Sequence, residues 1–465
     1  MGRTLVAGVD SSTQSVKIVV RDGDTGELVR EARGSHPDGT EVDPAAWWQA
    51  LDTASAGVLD GVSALSVSAQ QHGMVVLDDA GEIVRDALLW NDTRSADAAT
   101  DLIAEFGGPQ AWADAVGSVP VAAFTVTKLR WMAQHEPEHA ARTVAVMLPH
   151  DYLTWLLAGR PATAHTDRGD ASGTGYFDPA SNKYRRDLLE LALGHDATLP
   201  VVAGAAQAIG ETSSGITLGP GTGDNMGAAL ALGLGAGDVV VSLGTSGTAF
   251  ACSDVPSHDG SGLVAGFADA TGRFLPLVCT LNAARILTST ASMLGVDLDE
   301  FAELARAAKP GAGGLVLLPY FDGERTPNLP DARGSLHGIS RDNLTPENIA
   351  RAAIEGMLGG LADAVDALVD VGVTPKRVLL VGGAAANSAV GAIAATMFDG
   401  PVEIPPAGEY VADGAARQAA WVLSGQAELP DWAGMREGSS VRFEPAPIQI
   451  IRDQYAAART GLHGL

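Results

Sequence analysis

Asp224 is the only charged residue between Glu211 and Asp238, and it sits in the glycine-rich stretch GPGTGDNMGAAL (219–230). A carboxylate there can cap the helix that the following small apolar run would form. It can equally serve as a proton acceptor held on rigid backbone, with glycines leaving room for a substrate. A second carboxylate, Asp10, ends the apolar run TLVAGVD (4–10) and opens the turn DSSTQS (10–15). Two more turns of this kind occur, LGTSGT (243–248) and VGGAAANS (381–388). Small residues let backbone N–H groups approach phosphate oxygens, and hydroxyls add donors. Each turn alone is an ordinary loop; together they point to a nucleoside triphosphate held between two halves of the chain. The chain has no GxxxxGK[ST], which excludes a P-loop protein, and no GxGxxG after its first strand, which argues against a dehydrogenase.

These residues need elements to hold them. TLVAGVD and SVKIVVRD (15–22) read as two strands of a hairpin joined by SSTQ. Asp43-Pro44 starts a helix, with Trp47, Leu51, Ala54 and Val58 at helical spacing, and Trp47-Trp48 reads as packing. VSALSVSA (62–69) is a strand followed by QQHG, and MVVLD (74–78) and IVRDALLW (83–90) continue a strand-rich pattern. DVVVSLGTSGTAFAC (238–252) then repeats the strand, hydroxyl turn and strand of VAGVDSSTQSVKIVV, with Thr245 in the place of Thr13. A duplicated architecture is the simplest account. A long helix is expected from about Thr345 to Val371, RVLLVGG (377–383) is a buried strand, and NSAVGAIAATMF (387–398) is the helix after it. Strand–glycine–helix units imply α/β layers with ligands at strand C-terminal ends. The break falls near GLGAGD, giving domains 1–236 and 237–465, the second with a C-terminal helical tail.

The chain has 465 residues, of which 46% are hydrophobic and 18% charged. That is ordinary for a globular enzyme and too long for one core. With 30 Lys plus Arg against 56 Asp plus Glu, the net charge is −26, which argues against nucleic acid and anionic membrane as partners. No apolar run is long enough to span a bilayer, and MGRTLVAGVDSSTQ lacks a signal-peptide core. Cys252 and Cys279 make neither a disulfide framework nor a zinc spacing. A soluble, cytoplasmic protein is expected.

Longer motifs narrow the reading. FTVTKLRWMAQH (124–135), with Lys128 and Trp131, GSLHGISRDNLTPENIARAAIEG (334–356), LLPYFDGERTPNLPDARGSLHGI (317–339), SAQQHGMVVLD (68–78) and LLWNDTRSA (88–96) occur in order along the chain. Through them, and over essentially its whole length, the chain resembles the FGGY carbohydrate kinases, most closely the xylulokinase branch. The resemblance implies an α/β fold of two RNase H-like domains, of the actin-like ATPase clan, flanking a deep catalytic cleft that closes on ATP and sugar. GTGDNMGA matches the family's catalytic segment, which implies Asp224 as general base and Asn225 beside the sugar. GVDSSTQSVK matches its first phosphate motif, implying Asp10 as the Mg²⁺ residue through water and Ser12, Thr13, Gln14 and Lys17 at the nucleotide. LGTSGT implies Gly244, Thr245 and Ser246 near the transferring phosphate, and VGGAAANS implies Gly382, Gly383 and Asn387 at the adenosine. Ser12 and Ala384 stand where the family usually has glycine.

Gln71 and His72 match positions that contact sugar hydroxyls, and Trp90 matches an indole that covers the carbon chain. Read as residues alone, His72 could instead be a satisfied core histidine and Trp90 a core tryptophan. Glu324 and Arg325 are expected to form an ion pair that orders their loop. The implied partners are ATP, Mg²⁺ and D-xylulose, phosphorylated at O5, with no nucleic acid and no membrane; a homodimer is compatible with it. Two alternatives stand beside this reading. One is another FGGY kinase acting on ribulose, glycerol or gluconate. The other is an actin-like or chaperone-like ATPase, which would have no use for the QQHG and WND set.

Overall fold

The computed structural model describes residues 3–432 and 440–464. The chain forms two compact units, and the first crossing between them falls between Leu234 and Gly235. The first unit also takes Asp254–Leu275 and the segment beginning at Gly408; the second holds Gly235–Ser253, Pro276–Ala407 and the C-terminal segment. A single cut at 236/237 therefore does not describe the packing, because the helix Tyr410–Ser424 belongs with the first unit.

The first unit is built on the strands Leu5–Ser11, Ser15–Asp22 and Leu28–Ser35, an antiparallel meander, with Val62–Ala69 parallel to Leu5–Ser11. The first two strands and Val62–Ala69 are buried along nearly their whole length, so apolar residues fill both faces rather than alternating. One face is covered by the helix Pro44–Ser55, whose N-cap Asp43 accepts from Ala45 N–H and whose Trp47, Leu51 and Ala54 are buried. The other face packs Val6, Val19 and Ala64 against Ala412, Ala416, Ala419 and Ala420 of Tyr410–Ser424. That helix lies so close that a Cβ on Gly8 would stand 1.9 Å from the Ala412 carbonyl oxygen. It also meets the helix Asp224–Leu232, where a Cβ on Gly414 would stand 1.8 Å from the Gly227 carbonyl oxygen.

The second unit repeats the plan. Asp238–Leu243, Gly247–Ala251 and Phe274–Thr280 form an antiparallel meander, and Arg377–Val381 lies parallel to Asp238–Leu243. Val402–Ile404 follows in parallel and Val441–Phe443 closes that edge antiparallel. The helix Pro346–Asp370 starts at Thr345, whose hydroxyl accepts from Asn348 N–H, and buries most of its length. The C-terminal helix Gln449–His463 sets Tyr455 over Gly359 and ties Arg452 and Arg459 to Asp363.

Three local readings differ. Of 83–90 only Ala87–Leu88 is strand; Ile83 makes an isolated antiparallel bridge to Leu77, and the residues between are irregular. The segment 387–398 is α-helical only over Val390–Ala394; Thr396 N–H and Met397 N–H then bond three residues back, to Ile393 and Ala394, in a tighter winding. Glu324 does not pair with the Arg325 guanidinium. Its carboxylate accepts from Leu281 N–H at 2.6 Å, Asn282 Nδ2 at 2.9 Å and Arg325 N–H at 2.8 Å, which ties the loop by neutral donors.

Candidate active site

Three segments leave the same end of the first sheet. Val62–Ala69 has Asp10 opposite Ser68 on one side and Thr222 opposite Ser68 on the other, with all three strands parallel. Asp10, the run Gln70-Gln71-His72 and Asp224 therefore emerge together at strand C-terminal ends, where ligands collect in such sheets. Two strand spacings put the backbones that carry Asp10 and Asp224 roughly 10 Å apart.

Asp224 is the first residue of the helix Asp224–Leu232, and Gly223 occupies the capping position. The N-cap therefore has no side chain, and Asp224 meets the helix end from inside its first turn. Its Oδ1 accepts from Asn225 N–H at 2.8 Å and from Asn225 Nδ2 at 3.0 Å; the same Nδ2 donates to Gln71 Oε1 at 2.9 Å. Oδ2 has no hydrogen-bond partner among the described residues. Burial pushes the carboxyl up to about 7; the Asn225 N–H opposes this, while Asp10 and Asp170 add to it as like charges. The helix N-terminus favours the ionised form.

Asp10 is 3% exposed, and Ser12 Oγ donates to its Oδ1 at 2.6 Å. Burial pushes this carboxyl up to about 6, against the Ser12 hydrogen bond and the Lys17 charge. Lys17 is engaged by Glu409 at 2.5 Å. Thr13 Oγ1 donates to Gln70 Oε1 at 3.3 Å and accepts from Trp90 Nε1 at 2.9 Å. Trp90 is 43% exposed, so it is not a core tryptophan. The Gln14 carbonyl accepts from His36 N–H, and its side chain lies in solvent.

His72 has φ +68, the left-handed region that few non-glycine residues adopt. Its Nδ1 lies 2.6 Å from the Gly173 carbonyl oxygen. A carbonyl can only accept, so Nδ1 carries the proton. The ring lies 4.8 Å from Phe124 and 5.5 Å from Phe267, centroid to centroid.

In the second unit, Gly244, Thr245 and Ser246 form the turn between Asp238–Leu243 and Gly247–Ala251, with Leu243 paired to Gly247. Gly382 follows the parallel strand Arg377–Val381 at φ +91, and a Cβ there would stand 2.8 Å from the Leu243 carbonyl. Only glycine lets these two turns meet. Gly383 begins a short 3₁₀ turn ending at Ala386, and Asn387 follows, donating from Nδ2 to the Leu298 carbonyl at 3.2 Å. Neither Ser12 nor Ala384 adopts a left-handed φ, so neither replacement of glycine strains its turn.

The model of the FGGY family of carbohydrate kinases, N-terminal domain, matches residues 5–243, and that of its C-terminal domain matches 239–423. The chain belongs to the FGGY family of carbohydrate kinases. It is 45% identical over 438 residues to a xylulose kinase of Streptomyces coelicolor, covering 91% of this chain and 89% of that one. It is 33% identical over 404 residues to a xylulose kinase of Escherichia coli, covering 81% of each. The crystal structure of a xylulose kinase from Bifidobacterium adolescentis superposes with a TM-score of 0.90 at 47% identity, covering 98% of this chain and 99% of that one. This FGGY protein is thus a sugar kinase, and its duplicated meander gives it a two-domain α/β fold of the actin-like ATPase type. No helix among its described residues is long and apolar enough to cross a membrane.

The sequence reading of this FGGY kinase missed the layer behind the site. His150 Nδ1 lies 2.6 Å from Asp170 Oδ2, fully buried, with Asp151 and Asp167 nearby. Burial pulls this imidazole down, but the surrounding carboxylates outweigh it and raise it to about 9. Asp170 Oδ1 lies 3.1 Å from where a Cβ on Gly223 would be, so the network abuts the segment carrying Asp224. Its only sequence signal is polar residues in buried company, in LPHDYLTW and HTDRGDASGTG. Glu409 and Asp413 were missed for a different reason. They come from the far end of the chain, where Asp413 forms a buried pair with Arg21 at 2.6 Å.

Proposed function

We propose that this kinase transfers the γ-phosphoryl group of ATP to O5 of D-xylulose, giving D-xylulose 5-phosphate and ADP. Its similarity to xylulose kinases over about nine-tenths of the chain supports the substrate. The observation that carries the mechanism is the chain from Asp224 through Asn225 to Gln71, which fixes Oδ1 and leaves Oδ2 unpartnered. A sugar hydroxyl is a poor nucleophile at neutral pH. As O5 bonds to phosphorus, its proton passes to Asp224 Oδ2, and the bond from phosphorus to the bridging oxygen breaks toward ADP. Such a base contributes about 10²–10⁴-fold.

Gln71, His72 and Asn225 offer amide and imidazole groups that match a ketopentose's hydroxyls and carbonyl, with Trp90 beside the carbon chain. Ser12, Thr13, Gln14 and Lys17 take the phosphates from one unit, with Lys17 trading Glu409 for them. Gly244, Thr245 and Ser246 take them from the other, and Gly382, Gly383 and Asn387 take the adenosine.

Mg²⁺ fits Asp10. No group of three or more His, Cys, Asp or Glu is gathered into a metal cage among the described residues, and Mg²⁺ asks for none: it keeps its waters and uses one or two carboxylates plus phosphates. Burial has raised the Asp10 carboxyl, and a cation beside it would draw it back to the ionised form. When bound, the ion neutralises charge on the β- and γ-phosphates. Domain closure, which excludes water as a competing acceptor, completes the proposal. The test is a coupled ADP-release assay with D-xylulose, D-ribulose, L-ribulose, glycerol and gluconate in parallel. D-Xylulose should give the highest kcat/KM; a higher value for any other acceptor removes the substrate assignment and leaves the kinase.

A further inference from the structure

We infer that Lys128 is a positioning residue for the sugar: with Thr125, it clamps the His72 carbonyl and so holds the His72 imidazole where the sugar meets it. The inference deepens the proposed function and rests on its assignment of His72 to the sugar.

Lys128 is fully buried, and its Nζ donates to the His72 carbonyl at 3.0 Å and to the Ala123 carbonyl. Thr125 Oγ1 donates to the same His72 carbonyl at 3.2 Å. Both donors lie in the first turn of the helix Thr125–His135, a poor place for a cation, since the helix N-terminus is itself positive. Burial also pushes the ammonium down to about 7, with Asp92 as the opposing charge. A methionine would fill this volume without either penalty. What methionine cannot do is donate to two carbonyls. One of them belongs to a residue held at φ +68, a backbone state that must be fixed by its surroundings. The contacts of His72 to Gly173 and to the two phenylalanines are made by its ring, whereas Lys128 and Thr125 hold its peptide carbonyl. Releasing the carbonyl lets the peptide relax toward ordinary φ, which swings the imidazole and the adjoining Gln71.

The test uses the full chain with ¹³C-labelled histidine. The His72 ring resonance is assigned by its absence in His72→Ala. In Lys128→Met the His72 resonance should move or broaden, and KM for D-xylulose should rise roughly 5- to 50-fold, with KM for ATP within about twofold. In the His72→Ala background Lys128→Met should add less than about twofold, because one residue acts through the other. An unmoved resonance with unchanged KM, or an equal rise in the His72→Ala background, overturns the inference. If Lys128→Met does not fold, Thr125→Val removes the second donor with little change of shape. It must shift the same resonance, and failure to do so overturns the inference as well. Should His72→Ala itself leave the sugar KM unchanged while Lys128→Met still moves the resonance, the clamp stands and the sugar contact of the proposed function falls.

Discussion

Replacing Asp224 by Asn should make the protein inactive and more stable, by an amount that depends on pH. Asn keeps an Oδ1, so both hydrogen bonds from Asn225 survive, and only the ionisable oxygen is lost. The folded carboxyl is raised from 3.8 to about 7. The sign follows. Below about pH 4 the group is protonated in both states and carries no penalty. Between there and about pH 7 the unfolded chain releases the proton while the folded chain keeps it, so folding loses stability as pH rises. Above about 7 the loss is complete and flat. At about 1.36 kcal/mol per pH unit, the interval from pH 5.5 to 7 is worth at most ~2 kcal/mol. Asp224 keeps part of its surface in solvent, which screens the charge, so about 1 kcal/mol is expected. For a unit of this size that is about 2–4 °C in Tm. Thermal melts of both proteins at pH 5.5, 7.5 and 8.5 should therefore show the stabilisation of Asp224→Asn growing over the first interval and constant over the second. In the ADP-release assay kcat should fall about 10²–10⁴-fold. A variant that melts lower than the parent, or whose advantage ignores pH, refutes the burial argument. One that keeps more than about a tenth of kcat refutes the base.

Asp10→Asn should raise the Mg²⁺ concentration for half-maximal activity by roughly tenfold or more, since a neutral amide holds a cation's waters poorly; an unchanged Mg²⁺ titration contradicts the assignment. His72→Ala should raise KM for D-xylulose roughly 5- to 50-fold with KM for ATP nearly constant, and steady-state kinetics in both substrates check the split. Gly414→Ala should lower stability by more than about 1 kcal/mol, because the new methyl meets the Gly227 backbone; chemical denaturation of the two proteins measures it, and equal midpoints would contradict the packing.

The sequence made some of this legible and hid the rest for physical reasons. Periodicity and capping residues exposed the first hairpin, the helix from Asp43 and the long helix from Thr345, because burial and end effects are written locally. The proximity of Asp10, Gln71 and Asp224 could be reached only through family resemblance, since it arises from parallel strands brought together across more than half the first unit. The left-handed backbone of His72 had no signal at all: histidine is not glycine, and Thr125 and Lys128, which donate to its carbonyl, lie far along the chain on the helix Thr125–His135. Gly8, Gly227 and Gly414 carry no local signal of their packing role, yet each marks a surface where backbone touches backbone. The short helix at 390–394 was overread because alanine and isoleucine favour helix whichever winding the tertiary context selects.

The helix Tyr410–Ser424 has a consequence for the order in which the protein is made. Arg21 and Asp413, which tie it to the first sheet, are 392 residues apart in the chain. A nascent chain completes its first meander and Val62–Ala69 early, but leaves Val6, Val19 and Ala64 without their cover until the helix Tyr410–Ser424 has been made. At about 5–20 residues per second that interval lasts tens of seconds. Over that time a twisted apolar face is open to other chains or to a chaperone. The glycine at position 8, which lets the late helix settle on the strand, also leaves the early face flat there. Cutting the gene at the sequence midpoint would make that interval permanent, so a fragment ending near residue 236 should be recovered as aggregate, and supplying the segment from Gly408 onward should be the step that rescues it.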